Sequence, residues 1–546
     1  MILEPLLLTS LVALPALTAA GLIAVGGALM ALGGSPLPSS VWRATGLLAS
    51  ILTFAAVLQI AVFGFDAEAL GLQAVEQRPW APIFGVSLAF GVDGVGLCFL
   101  ASTAGLFPLA FLSTRSEGLA STRAWVVVVL LLETTLLGGI ASTNLLVFVS
   151  FWAASLVPIL LWMGRWGERG RARAASRVWT TEMIGLAALI FVVLELREAT
   201  ITQFGAPTLD LFAPDEASTL LDVRIELADQ PWLFLAFVLP LATRLPIVPL
   251  HFWLPAAHAV SPSGLSMLLA TGFVQTAAVG WLRFALPLFP DAAAAAAPSL
   301  AVLGIFGLAY ASLVALVQKE LKRLVAYASV GYAGFALVGI STLNVQGLTG
   351  AVIQLLTHGL ATAGLFLLIG FLAARRGTTE VAAFGGLAKP MPVCAFFFAV
   401  MVLSLMGFPL LGGFVGDLFV LLGSLETQRM LSVFALVAMV VAASYLLWVQ
   451  RRLFLGPVDE PANRGLIDLD RVERGVLLAI VIPIVAIGVY PNPVLRRVEP
   501  AVLELLYQMD RRSLAGEAAE AEERADGDLA AISSRAARPV FQGSAR

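Results

Sequence analysis

The chain has 546 residues, 59% of them hydrophobic and 13% charged, with a mean hydropathy of +0.92. Soluble domains carry about 25% charged residues, so this composition excludes a soluble enzyme and a disordered chain. A net charge of −3 excludes nucleic-acid binding by phosphate neutralisation, and two cysteines, Cys98 and Cys394, exclude an iron–sulfur cluster, a zinc site or a disulfide framework within one chain, so no cofactor is expected on it.

What remains is an all-α polytopic membrane protein. A spanning helix needs about 20 apolar residues. Fourteen such segments are predicted, at 2–32, 42–65, 88–114, 124–141, 143–163, 178–196, 231–252, 262–286, 298–318, 321–342, 346–373, 391–422, 430–450 and 475–495. The GVDGVGL stretch at 91–97 reads as a turn before the third helix. From Arg496 the chain continues as VEPAVLELLYQMD, a helical stretch, and then as the polar run SLAGEAAEAEERADGDLA, a solvated helix or disorder. Loops after odd-numbered helices hold nineteen Lys and Arg, and those after even-numbered helices hold five. This asymmetry predicts both termini outside, periplasmic if the cell is Gram-negative and the chain sits in its inner membrane. The even-side loop 197–229 is acidic, with Asp210, Asp215, Glu216, Asp222, Glu226 and Asp229.

Two helices are expected to be discontinuous. The seventh reads FVLPLATRLPIVPLHFWLPAAH, with Pro246 near its middle; the twelfth reads LSLMGFPLLGGFVGD, with Pro409 before a Gly-rich stretch. Proline removes a backbone donor and clashes with the preceding turn. Such breaks either kink a helix for packing or mark inverted repeats around a midplane ion site. Ionisable residues inside the spans are few and costly, so each needs a partner or water. They are Glu133, Glu182, Arg244, His358 and Asp417. Lys319, Lys322 and Arg323 lie together where the ninth helix turns into the tenth, at least partly at the interface.

The segment PIVPLHFWLPAAHAVSPSGLSMLLATGFVQTAAVGWLRFALPLFP resembles the signature of the antiporter-like membrane subunits of respiratory complex I. FVSFWAASLVPILLWMGRWG, KELKRLVAYASVGYAGFALVGI, GAVIQLLTHGLATAGLF and GFPLLGGFVGD extend the likeness over nearly the whole chain. Without a long lateral helix it resembles the shorter, M-type members. The resemblance implies two inverted five-helix repeats, helices four to eight and nine to thirteen, each with one broken helix. It divides the chain into 1–120, with helices 1–3; the repeats at 121–290 and 291–455; a loop and helix 14 at 456–495; and a polar tail at 496–546. It implies partnership with other membrane subunits in the lipid bilayer, and proton translocation driven by quinone reduction elsewhere in the assembly. The alternative is a subunit of a multisubunit cation/proton antiporter, a membrane hydrogenase or a bicarbonate-uptake complex.

The departures from the family pattern fall on its charges. Ala153 stands where the fifth-helix Glu is expected, Arg244 in place of the seventh-helix Lys, Gln275 in place of the eighth-helix Lys, and Tyr332 in place of a tenth-helix His. His358 and Asp417 match relay positions; His251 and His258 match loop histidines, with Ala256 in place of an Asp between them. Arginine stays protonated in proteins, so Arg244 cannot switch as a lysine can. An unpaired buried Arg is costly, so a replacement partner is predicted, with Glu182 favoured over Glu133. Two readings follow. One is a rearranged proton path over Glu133, Glu182, His358, Asp417 and water, with Arg244 as a gate and Gln275 holding water. The other is a paralogue that keeps the fold but has lost transport, which the clustering of substitutions at relay positions favours.

Overall fold

The computed structural model describes residues 7–114, 123–212, 218–458 and 461–513. Arg115, Asp215, Glu216 and the Ala/Glu run after Ser513 lie outside the described residues. Helices α1 (Leu7–Ala31), α2 (Ser39–Gln59), α3 (Gly94–Ser113), α4 (Arg123–Ala141), α5 (Leu145–Trp166) and α6 (Arg171–Phe204) come first. They are followed by α7 (Gln230–Arg244), α8 (Trp253–Val260), α9 (Ser263–Leu288), α10 (Pro290–Leu316), α11 (Leu321–Ser341) and α12 (Val345–Arg376). Last come α13 (Pro392–Leu405), α14 (Gly412–Thr427), α15 (Arg429–Phe454), α16 (Arg471–Val489) and α17 (492–513).

Eleven helices among the described residues are long and apolar enough to cross a membrane. The other three predicted spans are built differently. The sixth is a 34-residue helix; at 1.5 Å per residue it is about 51 Å long, well beyond a hydrocarbon core of about 30 Å. The seventh and twelfth are each two shorter helices, α7 with α8 and α13 with α14, joined by irregular backbone at 245–252 and 406–411. Pro246 and Pro409 lie in those joints, so the spans 231–252 and 391–422 are interrupted where their prolines predict.

The third span also starts later than its hydropathy predicts. Residues 86–92 form a strand, β2 (Val86–Val92), paired antiparallel with β1 (Gln73–Ala81). The helix begins only where the Asp93 carboxylate accepts from the Gly96 N–H at 2.5 Å, satisfying one of the donors a helix start leaves unpaired. This hairpin, the loop 205–212 and α17 form a cap at one end of the bundle. Asn144 caps α5 through the Leu146 and Val147 N–H groups and also donates to Asp210 at 2.8 Å. Burial pushes the Asp210 carboxyl above its ordinary range, against the pull of bonds from Ser87 and Asn144. Arg283 ties the cap to the bundle: its guanidinium pairs with Asp93 at 2.9 Å and donates to the Ile140 and Ser142 carbonyls at the end of α4. The start of the polar tail is docked, because α17 buries Val498, Val502, Leu505 and Met509, and Arg512 donates to the Leu221, Val223 and Leu288 carbonyls.

Helices α9 and α12 are buried along their whole apolar windows, whereas α1, α2 and α15 are only one-third buried. The two central helices touch through the Thr271 hydroxyl, which donates to the Gly359 carbonyl at 2.9 Å. Half-helix α14 lies against α12 along a seam of small residues. A methyl group at Gly416 would stand 2.6 Å from the Gln354 backbone nitrogen, and one at Gly350 or Gly423 would run into the backbone of the facing helix. Small residues let two backbones approach this closely where water supplies no driving force for association.

Candidate functional site

At the first joint, Pro246 and Pro249 carry no N–H, and Leu245 leaves the helical conformation at ψ 90°. The last carbonyls of α7 therefore lose their partners. One is recovered when the Trp253 indole donates to the Thr243 carbonyl at 2.8 Å. Arg244, the last residue of α7, sits at the end of the helix where a cation is favoured. Its side chain is fully buried and pairs with Glu182 of α6 at 2.9 Å, also fully buried. Nε and Nη2 both donate to Glu182 Oε2, and Nη2 also donates to the Trp152 carbonyl at 3.2 Å. The guanidinium lies 3.4 Å from the Trp152 ring centroid and 4.0 Å from that of Phe273, inside the range for cation–π attraction. Ala153, half-buried, follows Trp152 on α5; the cation therefore reaches the α5 backbone at the level where a side-chain carboxylate is missing.

At the second joint the device is repeated with other residues. Gly407 at φ +68° and Pro409 interrupt the helix, and the orphaned Leu405 carbonyl accepts from the Tyr332 hydroxyl of α11. The Tyr332 ring lies 4.8 Å from the His358 ring on α12, tilted by 30°. Asp417 of α14 is 4% exposed and His358 7%. Among the described residues Asp417 has no ion-pair partner, its Oδ2 has no hydrogen-bond partner, and neither ring nitrogen of His358 has one. Gln354, one turn along α12, and the Ser404 hydroxyl are likewise buried and unpartnered. Buried polar groups are normally hydrogen-bonded, so such a cluster calls for water or a mobile proton.

The remaining candidates stand apart. Glu133 of α4 is fully buried and accepts from the Ser50 hydroxyl of α2 at 2.5 Å, its second oxygen unpartnered among the described residues. Gln275 of α9 accepts from Ser102 and Thr103 of α3, each at 2.9 Å, and its Nε2 has no partner among the described residues. The structure thus brings Glu182 to Arg244 and His358 to Tyr332, and leaves Glu133 and Gln275 facing the N-terminal helices. Sequence reasoning named Lys322 and His258 separately and missed that they belong to a third cluster. The signal that could have found it is compositional: only three of the 33 cationic residues are lysines, Lys319, Lys322 and Lys389, and Lys322 is buried. Among the described residues no group of three or more His, Cys, Asp and Glu is placed to hold a metal ion.

Two discontinuous helices with a charge at each joint, packed around fully buried central helices, are the build of an ion-translocating membrane subunit. Residues 142–443 match the family model described as NADH:quinone oxidoreductase/Mrp antiporter, TM. The NADH-quinone oxidoreductase subunit M of Rhodobacter capsulatus is 31% identical over 523 residues, covering 93% of this chain and 98% of that protein. A chain of respiratory complex I from Thermus thermophilus superposes with a TM-score of 0.81 at 31% identity, over 92% of this chain and 99% of that one. A chain of the Mrp complex from Dietzia sp. shares the fold at 20% identity, with a TM-score of 0.77, over 93% of this chain and 99% of that one. The chain belongs to the NADH:quinone oxidoreductase/Mrp antiporter membrane-subunit family.

Proposed function

We propose that this chain is a membrane-arm subunit of a complex I-type NADH–quinone oxidoreductase, and that its proton conduction runs through its second half. In this reading residues 121–290 and 291–455 are inverted repeats, both termini lie on the periplasmic side of an inner membrane, and the partners are other membrane subunits. Redox chemistry and its cofactors belong to those neighbours; this chain answers with charge movements. The likeness to complex I relatives at 31% identity over almost the full length supports this above the antiporter alternative, whose solved neighbour is 20% identical.

The observation that carries the reading is the contrast between the joints. Arg244 is permanently charged, paired, and enclosed by two rings, so it neither accepts nor releases a proton and supplies a fixed positive charge. Asp417 and His358 are of residue types that exchange protons, and both are buried without a paired charge. An uncompensated ionisable side chain in a membrane interior is expensive and serves no packing purpose. This favours a rerouted path over lost transport. The test is the proton yield per electron pair of the purified assembly in liposomes. Asp417→Asn and His358→Phe are each expected to lower it, with the subunit still assembled. A native yield in both variants would overturn the reading, and co-purification with antiporter subunits alone would favour the alternative.

A further inference from the structure

We propose that Lys322, between Glu168 and His258, is the proton-loading residue of this chain; this rests on the second-half conduction proposed above. Three elements meet here. The α5–α6 connection is pinned to the end of α8 by the Glu168 N–H, which donates to the Val260 carbonyl at 2.8 Å. From the second residue of α11, the Lys322 ammonium donates to Glu168 Oε1 at 2.7 Å and to the Ser261 carbonyl at 3.0 Å. Ser261 follows His258 by three residues at the end of the same helix, so the ammonium bonds the chain one turn beyond that imidazole. The exposures are graded: the Glu168 side chain is 60% exposed and that of Lys322 5%, and His258 is fully buried. A carboxylate in solvent, a nearly buried amine and a buried imidazole thus stand in sequence from surface to interior.

The chemistry of these groups fits a loading function. His258 stacks on Phe366 of α12 at 4.3 Å, and neither of its nitrogens has a hydrogen-bond partner among the described residues. A buried imidazole with both nitrogens open is set up to exchange a proton through water. Phe366, Thr362 and His358 recur every fourth residue on α12, so His358 follows on the same face, about 12 Å further along the axis. Arginine has replaced lysine almost throughout the chain, and only lysine releases its proton readily from a buried position. The ammonium passes one proton to the imidazole through water between them. The neutral amine then takes a replacement from solvent by way of the Glu168 carboxyl. The net change is one proton moved from the surface to His258. The cluster lies on the face where Lys and Arg concentrate, the side from which protons are drawn if that face is cytoplasmic.

The test uses the assembled complex in liposomes, with proton yield per electron pair as the readout. Lys322→Arg keeps the charge and the Glu168 pair but removes the ability to release a proton. A purely structural lysine would therefore tolerate it. We expect Lys322→Arg and Lys322→Met both to lower the yield by the fraction that Asp417→Asn does; should Lys322→Met fail to assemble, Lys322→Arg alone decides. A native yield in Lys322→Arg beside a reduced one in Asp417→Asn would overturn the loading residue and keep second-half conduction. Native yields in both would overturn both proposals. A reduced yield in Lys322→Arg with a native one in Asp417→Asn would keep the loading residue and overturn the exit through Asp417.

Discussion

The two helix joints use one mechanical device and finish it with opposite electrostatics. In each, a proline-bearing stretch ends a helix inside the bundle, and an aromatic donor covers an orphaned carbonyl: the Trp253 indole, from the second half of the same broken span, on Thr243, and the Tyr332 hydroxyl, from α11, on Leu405. At the first joint the cation is paired with Glu182 and its faces are covered by Trp152 and Phe273, with only Arg244 Nη1 and Glu182 Oε1 of the pair unpartnered among the described residues. At the second the carboxylate, the imidazole and an amide are left open within one patch. The difference teaches that interruption alone does not make a conduit. The same break serves as a closed latch when its charge is matched, and as an exchange site when its charge is left to find protons and water.

Substitutions can break this comparison, and the largest expected effect is at the latch. Glu182→Gln leaves a fully buried guanidinium unpaired, which costs about 3–5 kcal/mol. It should sharply lower the thermal midpoint of the solubilised assembly, and Arg244→Gln added to it should recover most of the loss. Double-variant recovery failing to appear would show that the pair is not the unit that matters. Next, Trp253→Phe uncovers the Thr243 carbonyl at a cost of about 1–3 kcal/mol, lowering the midpoint while leaving proton yield unchanged. Gly407→Ala acts on the other joint. A Cβ there would stand 2.6 Å from Asp417 Oδ2, and the positive φ itself costs about 1–2 kcal/mol for a residue with a side chain. This variant should lower proton yield more than stability, the reverse of Trp253→Phe. The smallest effect is Phe273→Leu, which removes one covering ring from Arg244 and should cost about 1 kcal/mol, read as a small shift of the midpoint. If Trp253→Phe and Gly407→Ala moved stability and yield in equal proportion, the latch-and-exchange distinction would fail.

The fold was legible where periodicity and apolar length decide it. The long apolar runs located the membrane helices, and Pro246 and Pro409 located the joints, because a missing N–H is a property of the residue itself. Burial of Arg244 together with the absence of a carboxylate at Ala153 was enough to single out Glu182, since an uncompensated cation needs a mate whatever helix supplies it. The hairpin was hidden because residues 86–92 are apolar enough to extend a helix; only pairing with β1 and the Asp93 cap stop it. The place of Glu133 was also hidden, because periodicity names a helix face but not the neighbour it meets, and here that neighbour is Ser50 on α2. Lys322 was obscured by lying in a charged turn, where the sequence does not tell a side chain reaching outward from one reaching in beneath Ser261.

The glycine seam between α12 and α14 bears on how any movement at the second joint is shared. A rod fastened along its length to a longer, continuous beam makes a poor lever. Residues 406–411 link that fastened half to α13, where the Tyr332 hydroxyl bonds the Leu405 carbonyl, and the seam holds Asp417 beside α12. A carboxylate anchored in this way meets different partners only when other groups travel to it.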